Sequence, residues 1–217
     1  MDSESPKPPA IVKKFDMDKE LDAMIKRAKE RPPEVPHPTL KDHGAIQRLD
    51  FTPDWLDDGI YPRLEERQRD RHKISDPRLK NYHAFKLKDD PNSALVFWDY
   101  DLPLNSSLAS YMKKLVSKVG PIESTEWPKI PVFNRFGSSE QYQIDSVDVM
   151  TLNGKNVLYM RGHHKASSKY ESHVYMSRNG EWAWFSRIEY GSPDKATYDR
   201  DIKKVDAMLK KIAWGHY

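Results

Sequence analysis

The chain has no cysteine. Disulfides, thiolate nucleophiles and cysteine-based zinc or iron–sulfur sites are therefore excluded. Glycine is scarce, at nine residues in 217. No glycine-rich loop precedes a helix, and no serine stands in a Gly-x-Ser-x-Gly elbow. No apolar run approaches the roughly 20 residues of a membrane-spanning helix. The opening residues Met1 to Pro6 lack a basic-then-apolar leader pattern, so the expectation is a cytoplasmic protein without a transmembrane segment. An excess of one charge is missing too: 36 basic side chains stand against 33 acidic, a net of +3. That balance falls short of the footprint of a nucleic-acid-binding protein.

What is present is concentrated between Gln141 and Trp214. Asn153-Gly154 and Asn179-Gly180 each separate runs rich in β-formers, and Asn-Gly favours the type I′ turn that needs φ > 0 at both central residues. Counting outward from the first turn sets Val149 opposite Leu158, Val147 opposite Met160 and Met150 opposite Val157. Counting from the second sets Met176 opposite Ala183, Val174 opposite Phe185 and Tyr175 opposite Trp184. Ser192-Pro193 reads as a helix cap followed by proline at the first helical position. Tyr198, Ile202, Val205, Leu209 and Ile212 then line one helical face.

Upstream, Leu95 to Tyr100 reads as a buried strand. Asn105 or Ser106 caps a helix with the face Leu108, Tyr111, Met112, Leu115 and Val119, closed by Gly120-Pro121. The stretch from Leu40 to Leu87 carries little pattern beyond a strand end at Leu49, a turn at Pro53 and a buried Trp55. Residues 61–73 hold five basic and three acidic side chains and read as a solvated, ion-paired segment. The expected organisation is a disordered tail over 1–15, a short helix and proline-rich spacer over 16–38, and a single α+β domain over 39–217. That domain is expected to be an antiparallel sheet, a meander of about four strands covered by two helices.

The order of these elements resembles a known group. Pro53-Asp54-Trp55, a strand at 95–100, a helix at 106–119, a meander over 142–190 with the Leu152-Asn153-Gly154-Lys155 turn, and a closing helix at 193–213 are similar to the PsbP-like and DcrB-like α+β superfamily. The resemblance covers roughly residues 49–214. It implies a protein that binds other proteins, as an adaptor or chaperone, rather than an enzyme.

Candidate chemistry is sparse. His163 and His164 are adjacent and point to opposite faces of a regular strand, so with His173 they offer at most two ligands on one side; no metal and no cofactor is expected. Asp99 and Asp101 share a strand face, but beside Pro103 they read as turn residues, and no catalytic residue is assigned. Lys113, Lys114 and Lys118 on the first helix and Lys203, Lys204, Lys210 and Lys211 on the last would merge into a basic patch if both helices covered one face. Nucleic acid is accordingly the alternative partner. The favoured partner is another protein. In the second hairpin His173, Tyr175, Trp182, Trp184, Ile188 and Tyr190 form an aromatic face, which either a second layer covers or a partner meets. These six are the expected partner-binding residues.

Overall fold

Residues 37–62, 81–98, 104–133, 142–177 and 179–215 are described by the computed structural model, all within the unit His37–Tyr217. The expectations for residues 1–36, and for the basic segment beyond residue 62, fall outside them.

Eight strands form one antiparallel sheet in the order β3-β4-β5-β10-β9-β8-β7-β6. They are β3 (Trp55–Pro62), β4 (Asn81–Leu87), β5 (Asp90–Trp98), β6 (Gly120–Pro121), β7 (Tyr142–Leu152), β8 (Lys155–His164), β9 (Tyr170–Ser177) and β10 (Phe185–Ser192). A second sheet joins β1 (Thr39–His43), β2 (Ile46–Asp50) and β11 (Ala213–Trp214) in the order β1-β2-β11. Two α-helices are described, α1 (Ser106–Leu115) and α2 (Lys195–Leu209). The protein is thus mostly β, and the expected four-strand meander covered by two helices is not the architecture. The reading failed over residues 39–87, which hold β1 to β4. Their turns carry no Asn-Gly pair: Gly44, at φ 57°, closes β1 onto β2 after Asp42 at φ 49°.

The two helices lie on opposite faces of the large sheet. Along β8, Val157 and Tyr159 belong to a core with Tyr198, Val205, Met208 and Leu209 of α2. Leu158 and Met160 belong to another with Ala109 and Met112 of α1. Successive strand residues point to opposite faces, so each core claims one side. Leu40, Ile46 and Leu49 of the small sheet join the α2 core, and the segment around Ile130, Val132 and Phe133 joins the α1 core. A sheet covered on both sides needs no alternation of apolar and polar residues. From Glu171 to Ser177 every residue of β9 is buried.

Local chemistry sets the boundaries. Asn153 and Gly154 take φ of 42° and 81°, the two positive values of a type I′ turn, and the β7–β8 register is the expected one: Val147 faces Met160 and Val149 faces Leu158. The second Asn-Gly pair behaves differently. Only Gly180 is left-handed, at φ 84°, together with Trp182 at φ 59°, and Ser177 pairs with Phe185. The connection therefore runs from Ser177 to Phe185, longer than a two-residue turn, and Tyr175 faces Arg187 rather than Trp184. A shift of three residues is odd, so it sends every β10 side chain to the face opposite the expected one.

Helix α1 begins as expected, with Asn105 Oδ1 accepting a hydrogen bond from the Leu108 amide at 2.9 Å. Its buried stripe is Ala109 and Met112, continued by Val116; Leu108 and Val119 instead stand 38% and 63% exposed. Helix α2 is capped by Asp194, whose Oδ1 accepts from the Thr197 amide at 2.8 Å. Ser192 is the last residue of β10, not the cap.

Candidate functional site

The α1-side face of the sheet divides into two parts. The apolar core beneath α1 takes Val147 and Val149 from β7, Leu158 and Met160 from β8, Tyr175 from β9 and Phe185 from β10. Among the described residues it takes none from β3, β4 or β5. On that remaining part the face carries charged and aromatic side chains.

Its centre is Glu171. Across the ladder this residue faces Gly162 on β8 and Gly191 on β10, so neither flanking strand presents a side chain beside the carboxylate. Other groups occupy the space. Above Gly162 lies the Tyr142 ring, close enough that a Cβ there would come within 2.7 Å of it and collide with the backbone carbonyl of Gln143. The Lys169 side chain crosses Gly191, its Cε 3.1 Å from where a Cβ would sit, and its Nζ reaches Glu171 Oε1 at 2.5 Å. His173 Nε2 donates to Glu171 Oε2 at 3.2 Å, and His164 Nε2 lies 3.5 Å from Oε1. Glu189 extends the cluster, with Oε2 4.0 Å from His173 Nδ1 and 3.7 Å from Arg187.

Glu171 and His173 are only 4% and 1% exposed, and burial disfavours a charge. Burial accordingly pushes the Glu171 carboxyl up, but hydrogen bonding and charge from His173, then from Lys169, outweigh it and bring it down to about 2. The carboxylate is an anion in the interior. Burial also drives the Tyr142 hydroxyl well above the ordinary phenol value, and the Glu171 charge adds to this. The cluster can hold a fixed charge and orient hydrogen-bonding groups. Among the described residues, no set of three or more His, Asp or Glu side chains is placed to hold a metal ion.

Toward β4 the face becomes aromatic. The guanidinium of Arg187 lies 4.7 Å from the centroid of the Trp98 ring, and Trp98 packs on Tyr82 with centroids 4.8 Å apart. These three are cross-strand neighbours, Arg187 opposite Trp98 and Trp98 opposite Tyr82. Beside them the next rows hold Val96 with Ala84, then Ala94 with Lys86. Lys86 Nζ bridges to Asp58 at 2.9 Å. Tyr82, Ala94, Val96 and Trp98 are all half-buried.

The expected partner-binding residues do not gather on an open surface. Tyr175 and Trp182 are buried in the α1 core, Ile188 and Tyr190 in the α2 core, and His173 in the charged cluster. Trp184 alone is half-buried. The altered register of β10 is the cause, because it turns Ile188 and Tyr190 away from Tyr175. These side chains hold the two layers onto the sheet. The lysines Lys113, Lys114, Lys118, Lys203, Lys204, Lys210 and Lys211 are all exposed, but they lie on, or just after, two helices on opposite faces of the sheet and do not form one patch. His163 turns to the α2 side, stacking on Tyr170 at 5.0 Å and lying 3.2 Å from Asp145.

The sequence reading passed over Glu171, Lys169, Arg187 and Tyr82. A signal for the first existed: Gly162 and Gly191 stand inside strand-like runs, and a glycine in a strand interior marks a close approach of other groups. No protein-family model matches this chain, and no curated protein sequence matches it.

Proposed function

We propose that this is a non-catalytic binding protein, and that its recognition surface is the α1-side face of β3, β4, β5 and β10, which takes a segment of a partner protein. The observation that carries this reading is the contiguous row Tyr82, Trp98, Arg187. Tyr, Trp and Arg are the residue types most enriched among those that dominate binding energy at protein interfaces. Here they adjoin a low floor of Ala84, Ala94 and Val96, with Lys86 and Asp58 at one border. Buried Glu171 and His173, with the exposed Lys169 ammonium on Glu171, support the far border. A preformed surface of this kind loses little side-chain freedom on binding.

The reading is tested by affinity capture from the native source, comparing the wild-type chain with Ala94→Arg and Val96→Arg. Each substitution raises a long charged side chain from the floor. Proteins retained by the wild type should be lost from both variants, while both variants keep the wild-type circular dichroism spectrum. Equal retention by folded variants would place the binding surface elsewhere.

A further inference from the structure

The fold treats its two Asn-Gly pairs differently, and the difference is chemical as well as conformational. Asn-Gly is the setting in which an asparagine most readily loses its amide, because glycine sets no side chain beside the attacking backbone nitrogen. We propose that Asn179-Gly180 is a site of spontaneous deamidation and isoaspartate formation in the folded protein, and that the fold protects Asn153-Gly154 from the same reaction.

The reaction is intramolecular and needs only water and hydroxide. The Gly180 backbone nitrogen, once hydroxide has taken its proton, attacks Cγ of Asn179. The N–Cγ bond forms, the Cγ–Nδ2 bond breaks, and Nδ2 takes a proton from water and leaves as ammonia. Water then opens the succinimide ring. Cleavage of the new N–Cγ bond leaves aspartate at 179. Cleavage between that nitrogen and the main-chain carbonyl carbon leaves isoaspartate, with the chain running through Cγ.

Both asparagines are exposed, and a side chain added at either following glycine would meet no atom within 4 Å. Solvent therefore reaches both, and the difference lies in what the fold holds. At Asn153 it holds the leaving group, since Nδ2 donates to the Ile212 carbonyl at 2.8 Å. The backbone is held too, in a two-residue turn closed by Leu152 facing Lys155. Ring closure requires rotation about the Cα–C and Cα–Cβ bonds of the asparagine. At Asn153 those rotations break the side-chain bond and open the hairpin. At Asn179 the held atom is Oδ1, which accepts from the Glu181 amide at 3.1 Å in an exposed contact. Oδ1 stays on Cγ throughout ring closure, and accepting a hydrogen bond draws electron density away from the carbon under attack. The nearest ladder pair is Ser177 with Phe185, so the 179–180 peptide can rotate without breaking a strand pair.

The products differ in consequence as well. An extra main-chain methylene at residue 153 would disturb the turn that sets the register of β7 on β8. At residue 179 it enters a longer connection, and it brings a carboxylate two residues from Glu181, which pairs with Lys113 at 2.8 Å.

The test incubates the full chain in mildly alkaline buffer, once folded and once in concentrated guanidinium chloride. Both Asn-Gly peptides are then followed by mass spectrometry after digestion, and isoaspartate-specific enzymatic methylation identifies the rearranged product. In the folded chain residue 179 should react at least about tenfold faster than residue 153. In denaturant the two rates should converge, because the local dipeptides are the same. Asn179→Gln, an exposed change, should remove most of the methylation from the folded chain. Equal rates in the folded chain, or a faster reaction at residue 153, would overturn the proposal. So would a selectivity that persists in denaturant, which would assign it to local sequence rather than to the fold. A folded chain unreactive at residue 179, beside a denatured chain that reacts at both, would overturn it as well.

Discussion

Nε2 of His173 lies 3.2 Å from Oε2 of Glu171, two residues back along the same strand and on the same face. Both side chains are buried, so the imidazole and the Lys169 ammonium are what keep a carboxylate ionised inside the protein. This contact gives stability a pH dependence of known sign. Glu171 titrates near 4.5 when unfolded and about 2 when folded. Its contribution is fully present above 4.5 and is lost as pH falls toward 2, for a total of roughly 3 kcal/mol. Glu171→Gln should therefore destabilise most at pH 7, and the gap to wild type should narrow in urea titrations between pH 4.5 and pH 2. A gap that is constant over that window would mean the carboxylate is not held ionised.

The two glycines beside Glu171 should respond differently to alanine. At Gly162 the added methyl meets a backbone carbonyl and the Tyr142 ring, neither of which can swing away. Overpacking of this kind costs about 1–3 kcal/mol or more. At Gly191 the nearest atom is the flexible Lys169 Cε at 3.1 Å, which can move aside. Gly191→Ala should cost under about 1 kcal/mol. Equal losses in denaturant midpoint would show that the space above the two glycines is not shaped as described.

Gly154 isolates a conformational effect from a steric one. Its φ is 81°, and a side chain there touches nothing. Gly154→Ala should lose about 1–2 kcal/mol from the left-handed backbone alone, and Gly154→Val somewhat more because of its branched Cβ. Thermal melts of the two variants check this ordering.

The tryptophans of the β9–β10 connection separate by burial. Trp182 is 1% exposed within the α1 core, so Trp182→Ala should cost about 3–5 kcal/mol. Trp184 is half-buried and Trp184→Ala should cost clearly less. Chemical denaturation of both proteins decides the point.

How much of this was legible in the sequence depended on turn chemistry. Asn153-Gly154 marked a two-residue hairpin because both residues accept φ > 0, and its register followed by counting. Asn179-Gly180 is the same dipeptide in another setting. There the Trp182 amide bonds Ser177 Oγ and the Trp182 ring enters the α1 core, so tertiary packing overrides the local turn and lengthens the connection. One odd shift then moved Ile188 and Tyr190 to the other core, and the expected aromatic recognition face dissolved with it. Strands β1 to β4 were hidden for another reason. Their buried residues, such as Leu40 and Leu49 or Phe85 and Leu87, are few and separated by charged ones, and no strong turn pair frames them. The α2 stripe was readable because a 3.6-residue period persists over four turns.

The order of strands also bears on how the chain matures. Strands β7 to β10 are sequential neighbours and can assemble as soon as they leave the ribosome. Strand β5, and through it β4 and β3, joins the sheet only by pairing with β10, some ninety residues later in sequence. At roughly 5–20 residues per second of synthesis, the N-terminal strands wait many seconds for the edge they need. Strand β2 waits longer still for β11, where Ala213 pairs with Arg48 and Trp214 with Ile46. For some ninety residues of its synthesis the nascent chain therefore holds β3, β4 and β5 without the strand they dock against. That interval, rather than the finished molecule, is when a holding chaperone would matter most.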